Sequence, residues 1–225
     1  LCTFFISIRI MKKKLLIIGG NSKISKSFQK YFNTKYDIYL TTTKKISNKK
    51  YFQLDLNNDD SIIDFVNFNK KIKFDNILIC PGIIYGKKLT DYTFEKIDKL
   101  FNINSIGIIK LLSKILIKNV KDKTNIIFIS SISERRGSFD EIYASSKSSL
   151  SKIAKSLSVN FGNSLRINVI APSVIHNTKM YKMMSKKNIR KIQKNTPNKK
   201  LLNLDDLVKI INDVFQAVSY THLRA

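Results

Sequence analysis

The chain has 225 residues and carries 41 Lys and Arg against 16 Asp and Glu, a formal net charge of +25. That length suits one domain that buries a core without cross-links, and its two cysteines, Cys2 and Cys80, exclude a disulfide framework or a zinc site. The charge does not point to specific nucleic-acid binding: only six of the 41 cations are arginine, the lysines are spread out, and no aromatic stacking or helix-turn-helix pattern accompanies them.

In chain order, Leu1–Ile10 precedes Met11, after which lysines lead straight into a short buried strand, Lys14–Ile18. Residues 1–10 are therefore expected to be a non-native leader. Gly19-Gly20-Asn21-Ser22 follows the strand, and an amphipathic run, Ile24 to Phe32, follows the turn. Strand, glycine turn and helix start form a dinucleotide-binding arrangement, in which free N–H groups at the helix N-terminus face a pyrophosphate. A second strand, Tyr36–Leu40, runs into Thr41-Thr42-Thr43-Lys44-Lys45. An acidic residue there would pair with the ribose hydroxyls of NAD. Hydroxyls and ammonium groups suit a 2′-phosphate instead, and Asp37 comes too early in the strand, so NADP(H) is expected over NAD(H). Asp55 follows a third strand, Tyr51–Leu54, and its position offers either a helix cap or an adenine contact.

A fourth strand, Asn76–Cys80, ends at Pro81-Gly82, and a long helical pattern, Phe94–Asn119, contains Asn104. The fifth strand, Asn125–Ile129, runs into Ser130-Ser131, and the sixth, Arg166–Ala171, ends at Pro172. Glu134, Arg135 and Arg136 read as a solvated loop, with shaping of the substrate pocket as the alternative. Ser173–Lys200 reads as a variable pocket lid, with His176 as a loop residue. The final helical pattern, Leu204–Gln216, has no adequate strand after it. Continuous apolar strands alternating with helices predict an α/β fold with a doubly wound parallel sheet. No uninterrupted apolar run approaches the roughly 20 residues of a membrane span.

The chemistry centres on Tyr143-x-x-x-Lys147, twelve residues beyond Ser131. A tyrosine and a lysine four apart share one helix face. At about 4 Å and an effective dielectric near 20, the ammonium would favour the phenolate by roughly 4 kcal/mol. That would bring a phenol of pKa about 10 toward neutrality by up to about 3 units, as acid–base work requires. A nearby serine hydroxyl can hold the oxygen that exchanges the proton.

With these segments in this order, the chain resembles the classical short-chain dehydrogenase/reductase family over about Met11 to Gln216. The matching parts are the glycine turn, Asp55, Pro81-Gly82, Asn104-Ser-Ile-Gly107, Ile129-Ser-Ser131, Tyr143-x-x-x-Lys147, and Arg166-Ile-Asn168 with Ala171-Pro172. The resemblance implies a Rossmann fold with strand order 3-2-1-4-5-6 and an activity that interconverts a carbonyl and an alcohol by hydride transfer with NAD(P). It implies that Tyr143 exchanges the proton, Lys147 lowers the tyrosine pKa and contacts the nicotinamide ribose, Ser131 orients the carbonyl, and Asn104 disturbs its helix and holds a water. Cofactor contacts carried over are Gly19, Asn21, Ser22, Lys23 and Ile24 in the turn, then Thr42, Lys44, Asp55 and Leu56. Pro81, Gly82, Tyr143, Lys147, Pro172 and Val174 complete the set; no metal is implied.

The departures concern the cofactor end. The family turn, TGxxxGxG, has Lys23 and Ser25 in place of its second and third glycines, and Ile79-Cys80-Pro81-Gly82 replaces Asn-Asn-Ala-Gly. The pattern lacks the family's seventh strand, so the chain is expected to be a fragment: residues 11–217 as one catalytic domain and 218–225 as an artefactual tail. A homo-oligomer, a small-molecule substrate and a cytoplasmic setting are expected, with no membrane and no specific nucleic-acid partner. Competing readings are a noncatalytic dinucleotide sensor on the same fold, an extended-branch sugar-nucleotide epimerase or dehydratase, and a nucleic-acid-binding module.

Overall fold

Short apolar runs bounded by turn residues become the strands of one parallel sheet. The computed structural model describes residues 11–46 and 48–217. The strands are β1 (Lys13–Ile18), β2 (Tyr36–Thr42), β3 (Tyr51–Gln53), β4 (Phe74–Ile79), β5 (Val120–Ile129) and β6 (Leu165–Ile170). They lie in the order β3-β2-β1-β4-β5-β6, and every pairing is parallel. This is the doubly wound sheet expected from the sequence. Among the described residues the sheet has six strands, and the expectations for residues 1–10 and 218–225 lie outside the described residues.

Alternate residues of each central strand feed two separate cores, as a period of two requires. Leu16, Ile18, Ile77, Ile79, Ile126 and Phe128 meet α2 (Asp59–Phe68), α4 (Gly107–Lys118) and α6 (Glu141–Phe161) on one face. Leu15, Ile17, Leu78, Ile127 and Ile129 meet α1 (Lys23–Phe32) and α9 (Leu204–Gln216) on the other. The remaining helices are α3 (Phe94–Phe101), α5 (Ser133–Arg136), α7 (Lys179–Met183) and α8 (Lys186–Asn195). β6 is an edge strand, and Val169 within it is 36% exposed.

Two elements depart from plain apolar periodicity, the second as the resemblance implied around Asn104. β5 begins at Val120 rather than Asn125, because main-chain pairing with Phe74 recruits a polar stretch in which Lys123 takes a left-handed φ of 64°. The long helix is interrupted: a π turn, Asn102–Ile106, separates α3 from α4. Gly107 starts α4 against the chain at Leu56, where a Cβ would run into the Leu56 carbonyl oxygen and lie 2.7 Å from the Asn102 carbonyl oxygen. By length and composition the segment Phe94–Ile117, with a mean hydropathy of 1.6, could cross a membrane. Counting only uninterrupted apolar runs missed it, since asparagines and lysines break the run. Here Leu100, Ile108, Leu111 and Ile115 are fully buried in the protein's own core.

Candidate active site

The sheet order reverses between β1 and β4, and the crevice at that switch point is where open α/β sheets bind ligands. The turn after β1 forms one wall. Gly19 has φ +88°, and a Cβ on it would lie 2.9 Å from the Pro81 nitrogen. Its N–H donates to Thr41 Oγ1 at 3.0 Å, and the Gly20 N–H to the Thr41 carbonyl at 2.9 Å. Ser22 caps α1 by accepting from the Ser25 N–H. The two departures from the glycine pattern are accommodated differently. Ser25 is fully buried and its hydroxyl donates back to the Gly19 carbonyl at 2.8 Å. Lys23 points outward, and its ammonium donates to the Asn177 carbonyl across the crevice.

Two adjoining cavities follow. The first, about 330 Å³, is lined by Ser22, Lys23, Ile24, Ser131, Tyr143, Lys147 and Pro172 among others. The second, about 290 Å³, is lined by Gly19, Asn21, Thr42, Asp55 and Leu56 among others. Ser22, Cys80, Pro81, Gly82 and Ile83 belong to both. Thr42 accepts from Asn21 Nδ2 at 2.9 Å and from the Lys44 N–H at 3.2 Å. Asp55 does not cap α2; Asn58 does, accepting from Ser61. Lys44 and Val174 do not line either cavity, and Val174 is buried. Ile175, Thr178, Lys179 and Met180 line the first from the segment expected to form the lid, whereas Cys80 and Ile83, beside the expected Pro81-Gly82, were not given as contacts. No residue-type signal marks them; only their place after strand ends at the switch point could have.

Asp140 positions Tyr143. It caps α6 through the Tyr143 N–H at 2.9 Å, and it also accepts from the Gly86 N–H and the Tyr92 hydroxyl. Tyr143 is 7% exposed and Lys147 4%. Burial pushes the Tyr143 phenol up; its hydrogen bond with Ser131 draws it down, and the Asp140 charge pushes it up again. The expected phenol-lowering effect of Lys147 is not seen. Its Nζ donates instead to the Pro81 and Ile129 carbonyls, both at 3.2 Å. Burial lowers Lys147 itself to about 8, opposed by Cys80 and Glu134. Gly82 makes room for that ammonium, since a Cβ there would lie 2.9 Å from Nζ.

Asn104 is fully buried behind this wall, in the π turn. Its Oδ1 accepts from the Ile83 N–H at 2.7 Å, while Nδ2 donates to the Ile83 carbonyl at 2.9 Å and to Ser146 at 3.0 Å. Glu134, expected in solvent, has a side chain only 6% exposed. His176 stays at the surface and stacks edge-on against Tyr181. Among the described residues, no group of three or more His, Cys, Asp or Glu side chains could hold a metal ion.

A family model described as enoyl-(acyl carrier protein) reductase matches residues 31–212. The chain belongs to the short-chain dehydrogenase/reductase family. The matched span begins after the altered glycine turn. No curated protein matches the sequence. Members of the family and other proteins of the same fold are similar in structure. A short chain dehydrogenase family protein from Francisella tularensis aligns at 18% identity over 91% of each chain, with a TM-score of 0.79. A Brucella melitensis protein described as short-chain dehydrogenase/reductase SDR:glucose/ribitol dehydrogenase gives 18%, 91% of each chain and 0.80. ElxO with NADP bound gives 22% over 95% of this chain and 94% of that one, with a TM-score of 0.75.

Proposed function

We propose that this member of the family is an NAD(P)-dependent oxidoreductase that interconverts a carbonyl and an alcohol. One observation carries the reading: the Ser131 and Tyr143 hydroxyls and the Lys147 ammonium converge on one cavity at the β1/β4 switch point. The residues fit a dinucleotide. The Gly19 turn has no room for a side chain, and the capped start of α1 presents main-chain donors suited to a pyrophosphate. Asp55 and Leu56 would meet the adenine end, and Gly82 and Lys147 the nicotinamide ribose. The bound nicotinamide would supply hydride chemistry. Ser131 would hold the substrate oxygen, and Tyr143 would give it a proton during reduction. Lys147 would supply positive charge beside the developing phenolate, and Asn104 would keep the Ile83 wall in place. The Ser25 hydroxyl bond to Gly19 supports a turn still shaped for the cofactor, which favours this reading over a noncatalytic sensor. A homo-oligomer and a cytoplasmic setting belong to the same proposal. The former is supported by an apolar outer face on α4 and α6, where Ile117 and Val159 are 78% and 79% exposed.

The buried lysine gives the reading a pH signature. Burial depresses Lys147 to about 8, so it is an ammonium below that pH and a neutral amine above it. Reductive kcat/KM should be flat up to about pH 8 and fall by roughly tenfold per unit beyond it. A pH profile across a panel of ketones tests this; a decline beginning only near the ordinary lysine value would contradict it.

NADP(H) is proposed as the preferred cofactor. Thr41 to Lys45 lacks an acidic residue, and Thr43 lines the end of the second cavity. ElxO, of the same fold, is described with NADP bound. NADPH should bind more tightly than NADH in a fluorescence titration, and replacing both Lys44 and Lys45 with alanine should narrow the gap. Tighter NADH binding by the unaltered protein would reverse the assignment.

A further inference from the structure

Glu134 lies in a four-residue helix, α5, with three charged residues, yet its side chain is buried. Its Oε2 accepts hydrogen bonds from Ser130, just past the end of β5, and from Ser151 on α6. Ser130 Oγ also lies 3.2 Å from the Lys147 carbonyl oxygen, and Ser148 Oγ donates to the Glu134 carbonyl at 3.1 Å. The carboxylate thus joins the strand end that carries Ser131 to the part of α6 that carries Lys147. Arg135 is 3.6 Å away but 73% exposed, and such a pair contributes little. A carboxylate or an ammonium buried alone is heavily penalised, and each relieves the other when both are buried.

The titratable groups around Lys147 are Tyr143 one turn earlier in α6, Cys80 after β4, and Glu134; Lys23 and Lys179 line the same cavity. Burial pushes both the Cys80 thiol and the Tyr143 phenol up. Burial thus disfavours the charged form of both, and Glu134 is the one carboxylate among these groups. We infer that Glu134 is a positioning residue of the active site, whose carboxylate clamps the Ser131 strand end to α6 and is the buried counter-charge of Lys147. Its catalytic meaning rests on the oxidoreductase reading; the charge pairing rests on the burial of both groups, on the Ser130 and Ser151 bonds that hold the Glu134 carboxylate one turn from Lys147 in α6, and on the effect of its charge on Lys147.

The test compares Glu134→Gln, which keeps the shape and removes the charge, with the unaltered chain. The ¹³Cε resonance of Lys147, assigned by its loss in Lys147→Met, should titrate about one pH unit lower in Glu134→Gln. In the same variant the alkaline limb of reductive kcat/KM should move down in step, a loss of roughly tenfold above pH 8 relative to the variant's own acid plateau. An unmoved lysine titration overturns the inference. If the unaltered protein reduces no carbonyl, the oxidoreductase reading fails while the lysine titration still decides the pairing. Should Glu134→Gln fail to fold, the double variant with Lys147→Met decides: recovered folding supports the charge pair, and continued failure overturns it.

Discussion

Tyr143→Phe should lower carbonyl reduction by about 10²- to 10⁴-fold, the range for losing a positioned general acid. The ring stays and the transferable proton goes. Tyr143 is buried against Ile84 and Leu100, so the phenylalanine ring keeps its packing. Its N–H still donates to Asp140, so the start of α6 is unaltered. NADPH affinity should therefore change by no more than a few-fold. Steady-state kinetics beside a fluorescence titration separates the two quantities. Near-normal turnover by the variant would remove Tyr143 from the mechanism, and a collapse of both quantities would mean that the hydroxyl matters for structure.

Gly107→Ala should cost about 3 kcal/mol or more, beyond the usual range for overpacking, because the obstacle is backbone rather than a movable side chain. The new methyl would meet the Leu56 carbonyl oxygen and the Asn102 carbonyl oxygen. Neither can withdraw without breaking the π turn or shifting the segment after β3. The expected fall in Tm is on the order of 6–12 °C for a domain of this size. Cofactor affinity should fall with it, since Leu56 lines the second cavity. Thermal unfolding of both chains, with and without NADPH, checks this. A Tm within 2 °C of the unaltered chain would show that α4 can step away from Leu56.

The strands were legible because each is a short continuous apolar run, and their alternation with helices dictates which end of the sheet forms a crevice. Ser131, Tyr143 and Lys147 were legible as a spacing. The electrostatics were not. Residues four apart share a helix face, but the Lys147 ammonium is captured by two strand-end carbonyls, those of Pro81 and Ile129, which lie 66 and 18 residues away in sequence. Glu134 misled for the same reason. Beside two arginines it looks solvated, and its partner Ser151 lies 17 residues further on, visible only when α5 packs against α6. Ser25 stood out only as a departure from the glycine pattern, because a missing glycine shows in the sequence, whereas the hydroxyl bond that replaces it is a matter of geometry.

Asn104 holds both main-chain groups of a single residue, Ile83, through one side-chain amide. Displacing the main chain at Ile83 would break two bonds together and strand a fully buried amide. Ile83 belongs to the partition between the two cavities. The chambers proposed for the adenine end and for the reacting end therefore share a dividing wall tied in place by a buried side chain. Whatever adjustment a bulkier substrate demands must come from the opposite side, the stretch from Ser173 to Met180. Changes in substrate range can accumulate there without disturbing the register between cofactor and proton donor.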